Sequence, residues 1–366
     1  MNGQFNVWNK WDPLKTVMLG DCYGPEFFRD IKNPRIRSAL DRIATETKED
    51  LEFYEKILKD FSCQVVRPEL DKNQSIMGFI DDEGRIRGQQ GIPRAPLQPR
   101  DAQMVLGTSL YFTGVKDHPS IKNKLIEYNL DKSGLRVLST SELIAAPCFT
   151  IVGKDLYVDK ITTSAADVLK HEGHNDVRDN HFRHIKKNTP GVRINTLSIG
   201  GHNDGCFHTL KPNAILSLRQ IQDYEKTFPG WDVCYLPNQS WDLLTDFIKM
   251  KKKVDGRWWV PGEEENDEFT YFVETWLQDW VGYCEESVFD VNVLMLDDRH
   301  VCVNNYNETA FAFFKKHNIE PIIIPWRHRY FWDGGLHCIT LDLYREGEMQ
   351  DYFPARSEPI VDLGFD

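Results

Sequence analysis

The chain has 366 residues, 41% of them hydrophobic and 27% charged, the balance of a globular protein with a large core. Its formal net charge of −12 gives no general attraction for nucleic acid or for an anionic membrane. No apolar run approaches the roughly 20 residues that span a bilayer, and Met1–Pro13 has no basic patch followed by an apolar stretch. A cytoplasmic protein without nucleic-acid or membrane partners is therefore expected.

In chain order, Thr16–Gly20 (TVMLG) reads as a strand. Ser38–Phe61 places Leu40, Ile43, Leu51, Tyr54, Ile57, Leu58 and Phe61 near helical spacing. Glu69–Arg100, rich in Gly, Pro, Gln and charge, reads as a long loop. Gln103–Gly114 is the first of four hairpins, two apolar runs around a polar turn. Ile121, Leu125 and Ile126 suggest a helix before a strand at Leu135–Leu138. The second hairpin is Phe149–Asp159, and Ala165–Lys187 is partly helical in pattern. Cys206–Ser217, turning at Lys-Pro-Asn, is the third. Ser240–Ser287, with five tryptophans, reads as an insertion of helices and loop, a lid or a surface elaboration. Asn292–Asn304 is the fourth hairpin, followed by a helix at Thr309–His317 and a strand at Pro321–Pro325. Cys338–Tyr344 (CITLDLY) is the last strand. Four hairpins and a fifth shared between the termini suggest a closed ring, although an ordinary mixed α/β sheet has the same local pattern.

The eight cysteines are scattered, with no CxxC pair, and free thiols are expected. Gly334-Gly335-Leu336-His337-Cys338 puts a cysteine behind two glycines at the mouth of a strand, within reach of a substrate. His202-Asn203-Asp204 opens the third hairpin, and strand alternation would set His202 and Asp204 on one side, facing one pocket. Pro99-Arg100-Asp101 puts a carboxylate just before the first hairpin. Taken singly, these fit a buried thiol, a polar turn and a cap better than they fit a site. His171, His174, His181 and His184 do not have the spacing of a known metal site, and no phosphate-binding loop occurs. No metal or cofactor is expected.

Taken together, these blocks resemble the arginine–glycine amidinotransferase family of the pentein superfamily. The resemblance runs through Asn6–Gly20 (NVWNKWDPLKTVMLG), Pro99-Arg100-Asp101 with QMVLG, His202-Asn203-Asp204, Asn292–Asp297 (NVLMLD) and Gly334–Cys338 (GGLHC). It implies a single domain over 1–366, a five-bladed α/β propeller of ββαβ repeats closed by the two termini, with 240–287 inserted. It implies a small-molecule guanidino donor, an amine acceptor and assembly as a homodimer. Cys338 is then the nucleophile and His202 the proton shuttle. Asp101 and Asp204 hold the guanidinium, and Arg219 a substrate carboxylate. Where the family carries a catalytic aspartate, this chain has Cys148, and before Asn292 it has Glu285, Glu286 and Ser287 in place of serines. The acidic replacement suits a more cationic substrate. The resemblance leaves three activities in view: amidino transfer to an amine, deiminase-type hydrolysis, and binding without turnover.

Overall fold

A computed structural model of the chain describes residues 3–80, 91–113, 118–137, 146–159, 182–197, 199, 202–218, 224–236, 258, 260–281 and 290–360. These residues form five three-stranded sheets. The first joins β1 (Leu14–Leu19), β2 (Gln64–Val66) and β15 (Thr340–Arg345). The second holds β3 (Gln103–Leu106), β4 (Ser109–Phe112) and β5 (Leu135–Val137). The third holds β6 (Phe149–Val152), β7 (Asp155–Asp159) and β8 (Arg193–Leu197). The fourth holds β9 (Phe207–Lys211), β10 (Ala214–Leu218) and β11 (Asp232–Leu236). The fifth holds β12 (Leu294–Met295), β13 (His300–Val303) and β14 (Glu320–Ile323).

Every sheet obeys one rule. The central strand pairs antiparallel with one neighbour and parallel with the other. The antiparallel partner is its hairpin mate, and the parallel one returns after a crossover. In the first sheet the hairpin mate comes from the far end of the chain, since β1 pairs with β15 from Leu14↔Arg345 to Leu19↔Thr340. The shared hairpin expected from the two termini is thus present. Gly107 (φ 57°) and Gly153 (φ 60°) supply the left-handed turn residues of two hairpins, and Asn213 (φ 68°) that of a third.

The long crossover helix runs from Pro34 to Asp60, four residues earlier than apolar spacing alone suggests. Its start is local chemistry: the Asn33 side chain accepts from Arg35 N, and Pro34 stands where a missing N–H costs nothing. Its buried face includes Leu40, Ile43, Leu51, Tyr54 and Leu58. The described part of the expected insertion packs into the core rather than standing apart. Helix Asp267–Trp276 touches Pro34–Asp60, and Trp258 and Trp280 are buried in the same cluster as Phe331 and Trp332. Residues 240–257 and 282–287 lie outside the described residues. No helix among the described residues is long and apolar enough to cross a membrane.

Three tight turns lead directly into the first strand of their hairpins: helix Pro99–Ala102 before β3, the 3-10 turn Ala146–Cys148 before β6, and helix Asn203–Cys206 before β9. A further turn over 336–339 precedes β15. The turn Ala146–Cys148 touches both of the other two, and Pro99–Ala102 also touches β15. Repetition therefore brings one position from successive units to a common centre. His202 is not on a strand beside Asp204, as alternation suggested. It caps the helical turn that contains Asp204, because Asn203-Asp204-Gly205 satisfies its own backbone locally before the ladder begins.

Candidate active site

The central positions are Asp101, Cys148, Asp204 and Cys338, each in the turn before its strand, with Asn292 two residues before β12. All five are buried, Cys338 to 1% exposure. A cysteine open to the surface at a strand mouth is thus not what the fold provides. Cys338, Ile339 and Thr340 are all buried.

Asn292 organises the cysteine. Its Oδ1 accepts from the backbone N–H of His337 (3.0 Å) and of Cys338 (3.2 Å). Its Nδ2 donates to Cys338 Sγ (3.1 Å) and to the Asp204 carbonyl (3.3 Å). One amide therefore fixes the sulfur against Asp204. Gly335 is what admits it: a Cβ there would lie 2.5 Å from Asn292 Oδ1.

Asp204 faces the sulfur, with Oδ2 at 3.6 Å from Cys338 Sγ. The same Oδ2 is 2.6 Å from His337 Nδ1. Its Oδ1 is buried and makes no hydrogen bond to any described residue. His337 is stacked edge-on against His208, with ring centroids 5.0 Å apart. Arg100 braces this turn from below. Its Nε donates to the carbonyls of His337 and Thr340, both at 2.9 Å, and its Nη2 to Asp342 Oδ1 at 2.7 Å. Arg345 Nε holds the other oxygen of Asp342, also at 2.7 Å.

The electrostatics follow from burial. The Cys338 thiol is pushed well above its ordinary range, first by desolvation and then by Asp204 and Asp101. Desolvation also raises the Asp204 carboxyl, against His202, Lys10 and Arg100. His337 and His208 are driven well below the usual imidazole range by burial and by the cations Arg100 and Lys10. The Asp342 carboxyl, clamped between Arg345 and Arg100, is held down to about 2 against its burial. Burial thus favours the protonated thiol at Cys338 and opposes the charge on Asp204.

Of the residues singled out in the sequence, Cys338, Asp101, Asp204 and His202 lie in this region. Cys148 adjoins it through its carbonyl, which accepts from Asn203 Nδ2 at 2.9 Å. Arg219, Glu285–Ser287, His171, His174 and His181 lie outside the described residues. Sequence reasoning missed Asn292, His337, Arg100 and Lys10 as site residues. Arg100 and His337 were quoted within their motifs, and Asn292 began its block, but nothing in a linear pattern shows which polar residue turns inward.

Five three-stranded sheets of one pattern thus set a buried cysteine beside a buried carboxyl group. No family model matches the chain. It is 40% identical to the mitochondrial glycine amidinotransferase of Xenopus laevis, over 94% of this chain and 84% of that protein. It is 22% identical to the L-arginine:L-lysine amidinotransferase of Pseudomonas savastanoi pv. phaseolicola, over 94% and 95% of the two chains. The solved structure of inosamine-phosphate amidinotransferase from Streptomyces griseus superposes with a TM-score of 0.65 at 16% identity, covering 95% of this chain and 99% of that one. The chain belongs to the amidinotransferase family, within the pentein superfamily, and is a transferase of amidino groups.

Proposed function

We propose that the chain moves the amidino group of arginine, or of a related guanidino donor, to glycine, lysine or another primary amine through an amidino-cysteine at Cys338. The observation that carries this reading is the 3.6 Å approach of Cys338 Sγ to Asp204 Oδ2, with Asp204 Oδ1 left to accept a guanidinium N–H. A planar cation bonded to Asp204 and Asp101 sets its carbon over the sulfur. It also offsets the two carboxylates that oppose thiolate formation, so the nucleophile is released by the substrate it attacks.

The atoms balance with one shuttled proton. The sulfur bonds to the guanidinium carbon, the C–N bond to the donor breaks, and the departing amine takes the proton the thiol gave up. The acceptor amine then attacks the amidino-cysteine, loses a proton, and the thiol is restored. We assign that proton to His202, with Asp101 and Asp204 as the guanidinium clamp and Arg219 as partner of a substrate carboxylate. Cys148 stands where a carboxylate usually orients the histidine. The His337–Asp204 pair supplies a buried imidazole and carboxylate within the same pocket, which supports turnover without that residue. The relatives named above transfer amidino groups, which favours an amine over water as acceptor. The five repeats support a single five-bladed α/β propeller over 1–366, closed where β1 meets β15. A homodimer in the cytoplasm belongs to the same reading.

The test is product analysis by mass spectrometry with arginine, with and without glycine or lysine. Ornithine together with the amidinated acceptor, formed only when the acceptor is present, is the expected result. Citrulline without acceptor would replace transfer by hydrolysis. Cys338→Ala is expected to abolish turnover, and residual turnover at the original rate would end the covalent mechanism.

A further inference from the structure

The cysteine turn is reached through a short helix, Arg329–Trp332, that ends on Asp333 in the left-handed region (φ 49°). A helix end leaves carbonyls without partners inside the helix, and buried ones need donors from elsewhere. Here side chains supply them. Gln98 Nε2 donates to the Trp332 carbonyl and, at 3.2 Å, to the Asp333 carbonyl. Trp326 Nε1 donates to the Gly334 carbonyl at 2.8 Å. The Gln98 amide is itself oriented, because its Oε1 accepts from Arg94 Nη2 at 3.2 Å. Gln98 is buried, and it lies close to the cysteine. A Cβ built on Gly334 would meet Cys338 Cβ at 3.2 Å and Gln98 Nε2 at 3.4 Å.

Gln98 is the N-cap residue of helix Pro99–Ala102, yet its side chain makes no capping bond there. The amide is spent instead on carbonyls more than 200 residues away, at a sequence separation of 234 for Trp332. Arg100, on the other side of Pro99, donates from Nε to the carbonyls of His337 and Thr340. The two residues that flank Pro99 thus grip the cysteine segment at both ends. Asp101 follows directly in the same helical turn, whose proline has its φ fixed by the ring. We propose that Gln98 is a positioning residue for the transfer reaction: its amide holds the entrance of the cysteine turn, as Arg100 holds the exit, so that the segment carrying Asp101 also sets where Cys338 stands. This rests on the roles assigned to Cys338 and Asp101 above.

Attack on a planar carbon depends on where the sulfur stands, and a misplacement of about 1 Å can cost roughly a hundredfold in rate. Asn292 fixes the sulfur from one side, through Nδ2 at 3.1 Å and through the backbone N–H groups of His337 and Cys338. Gln98 fixes the backbone from the other side, ahead of Gly334. Among the described residues its bonds go to two carbonyls and to Arg94, and none goes to Asp101 or Asp204. Its loss therefore releases the nucleophile and leaves the guanidinium clamp in place.

The experiment compares Gln98→Met and Gln98→Glu with the parent, in the full chain. Methionine keeps the length and removes both donors. Glutamate keeps the shape and the bond from Arg94 but offers no amide N–H, and it serves if the methionine variant folds poorly. In both, kcat with arginine should fall by roughly tenfold to a hundredfold, while KM for arginine stays within about twofold. Alkylation of Cys338 by iodoacetamide, read by mass spectrometry of its peptide, tests the same geometry without turnover. It should be several-fold faster in both variants, with the buried Cys22 and Cys302 reacting as in the parent. A raised KM with unchanged kcat would overturn the proposal, since Gln98 would then serve donor binding. So would unchanged alkylation of Cys338, or an equal acceleration at all three cysteines, which marks general loosening. If the parent does not turn over arginine, the donor reading fails, and the alkylation pattern alone decides whether Gln98 holds the cysteine in place.

Discussion

Asn292 shows how much one side chain can carry. Its amide spends all its bonding capacity on the cysteine turn and on the turn of Asp204. Asn292→Ala removes the donor to sulfur and strands two buried N–H groups. A loss of about 1–3 kcal/mol in stability is expected from urea titration. A fall in kcat of roughly a hundredfold, measured with saturating donor, is expected from the freed sulfur. Asp342 makes a second case, with a sign that can be worked out. Its carboxyl is held at about 2, below its value in the unfolded chain. The stability it contributes is therefore complete above the unfolded value and is lost as pH falls from there through about 2. Arg100→Met removes one of its two cations and leaves the charge buried, at a cost of about 3–5 kcal/mol. Acid unfolding followed by circular dichroism should then begin at higher pH than in the parent.

The pre-strand turn is the element that makes the site. A strand alone would send alternate side chains to opposite faces. A single helical turn ahead of the ladder breaks that alternation and turns a short acid toward the centre, as at Asp101 and Asp204. The hairpins themselves were legible as apolar runs around Gly107, Gly153 and the Lys-Pro-Asn turn, because strand period and left-handed turn residues are local properties. The helical turns were not. Four residues are too few to show a period, and Pro99-Arg100-Asp101 or His202-Asn203-Asp204 reads equally well as loop or strand. The same limit hid the burial of Cys338, whose two glycines suggested openness. In the folded chain Gly335 instead makes room for the Asn292 amide.

The ends of the chain do structural work across the whole molecule. The N-terminal segment pairs with β15, and the stretch after β15 runs back along the third sheet. There Arg356 donates to Asp155 Oδ1 (2.9 Å), to the Tyr157 hydroxyl (2.8 Å) and to the Thr227 carbonyl (2.6 Å). Asp155 is fully buried and is also held by Arg193 at 2.6 Å. Arg356→Met should cost stability, read as a lower Tm, by breaking part of a buried ion network. It should leave KM for the donor unchanged, because Asp155 belongs to the third sheet and not to the cysteine turn. A rise in KM would mean that the third sheet transmits strain to the centre.

Composition, hairpin rhythm and the order of short motifs were enough to indicate an α/β repeat protein and its likeness to the amidinotransferases. Those features are written in residue types and short spacings, which a linear reading can see. The company each residue keeps was settled by folding. Asn292 meets Cys338, and Asp204 meets His337, across separations that no local period records. These contacts exist because turns distant in sequence are packed together in the core. There, loss of water makes each unpaired charge expensive and gives each neighbour its effect.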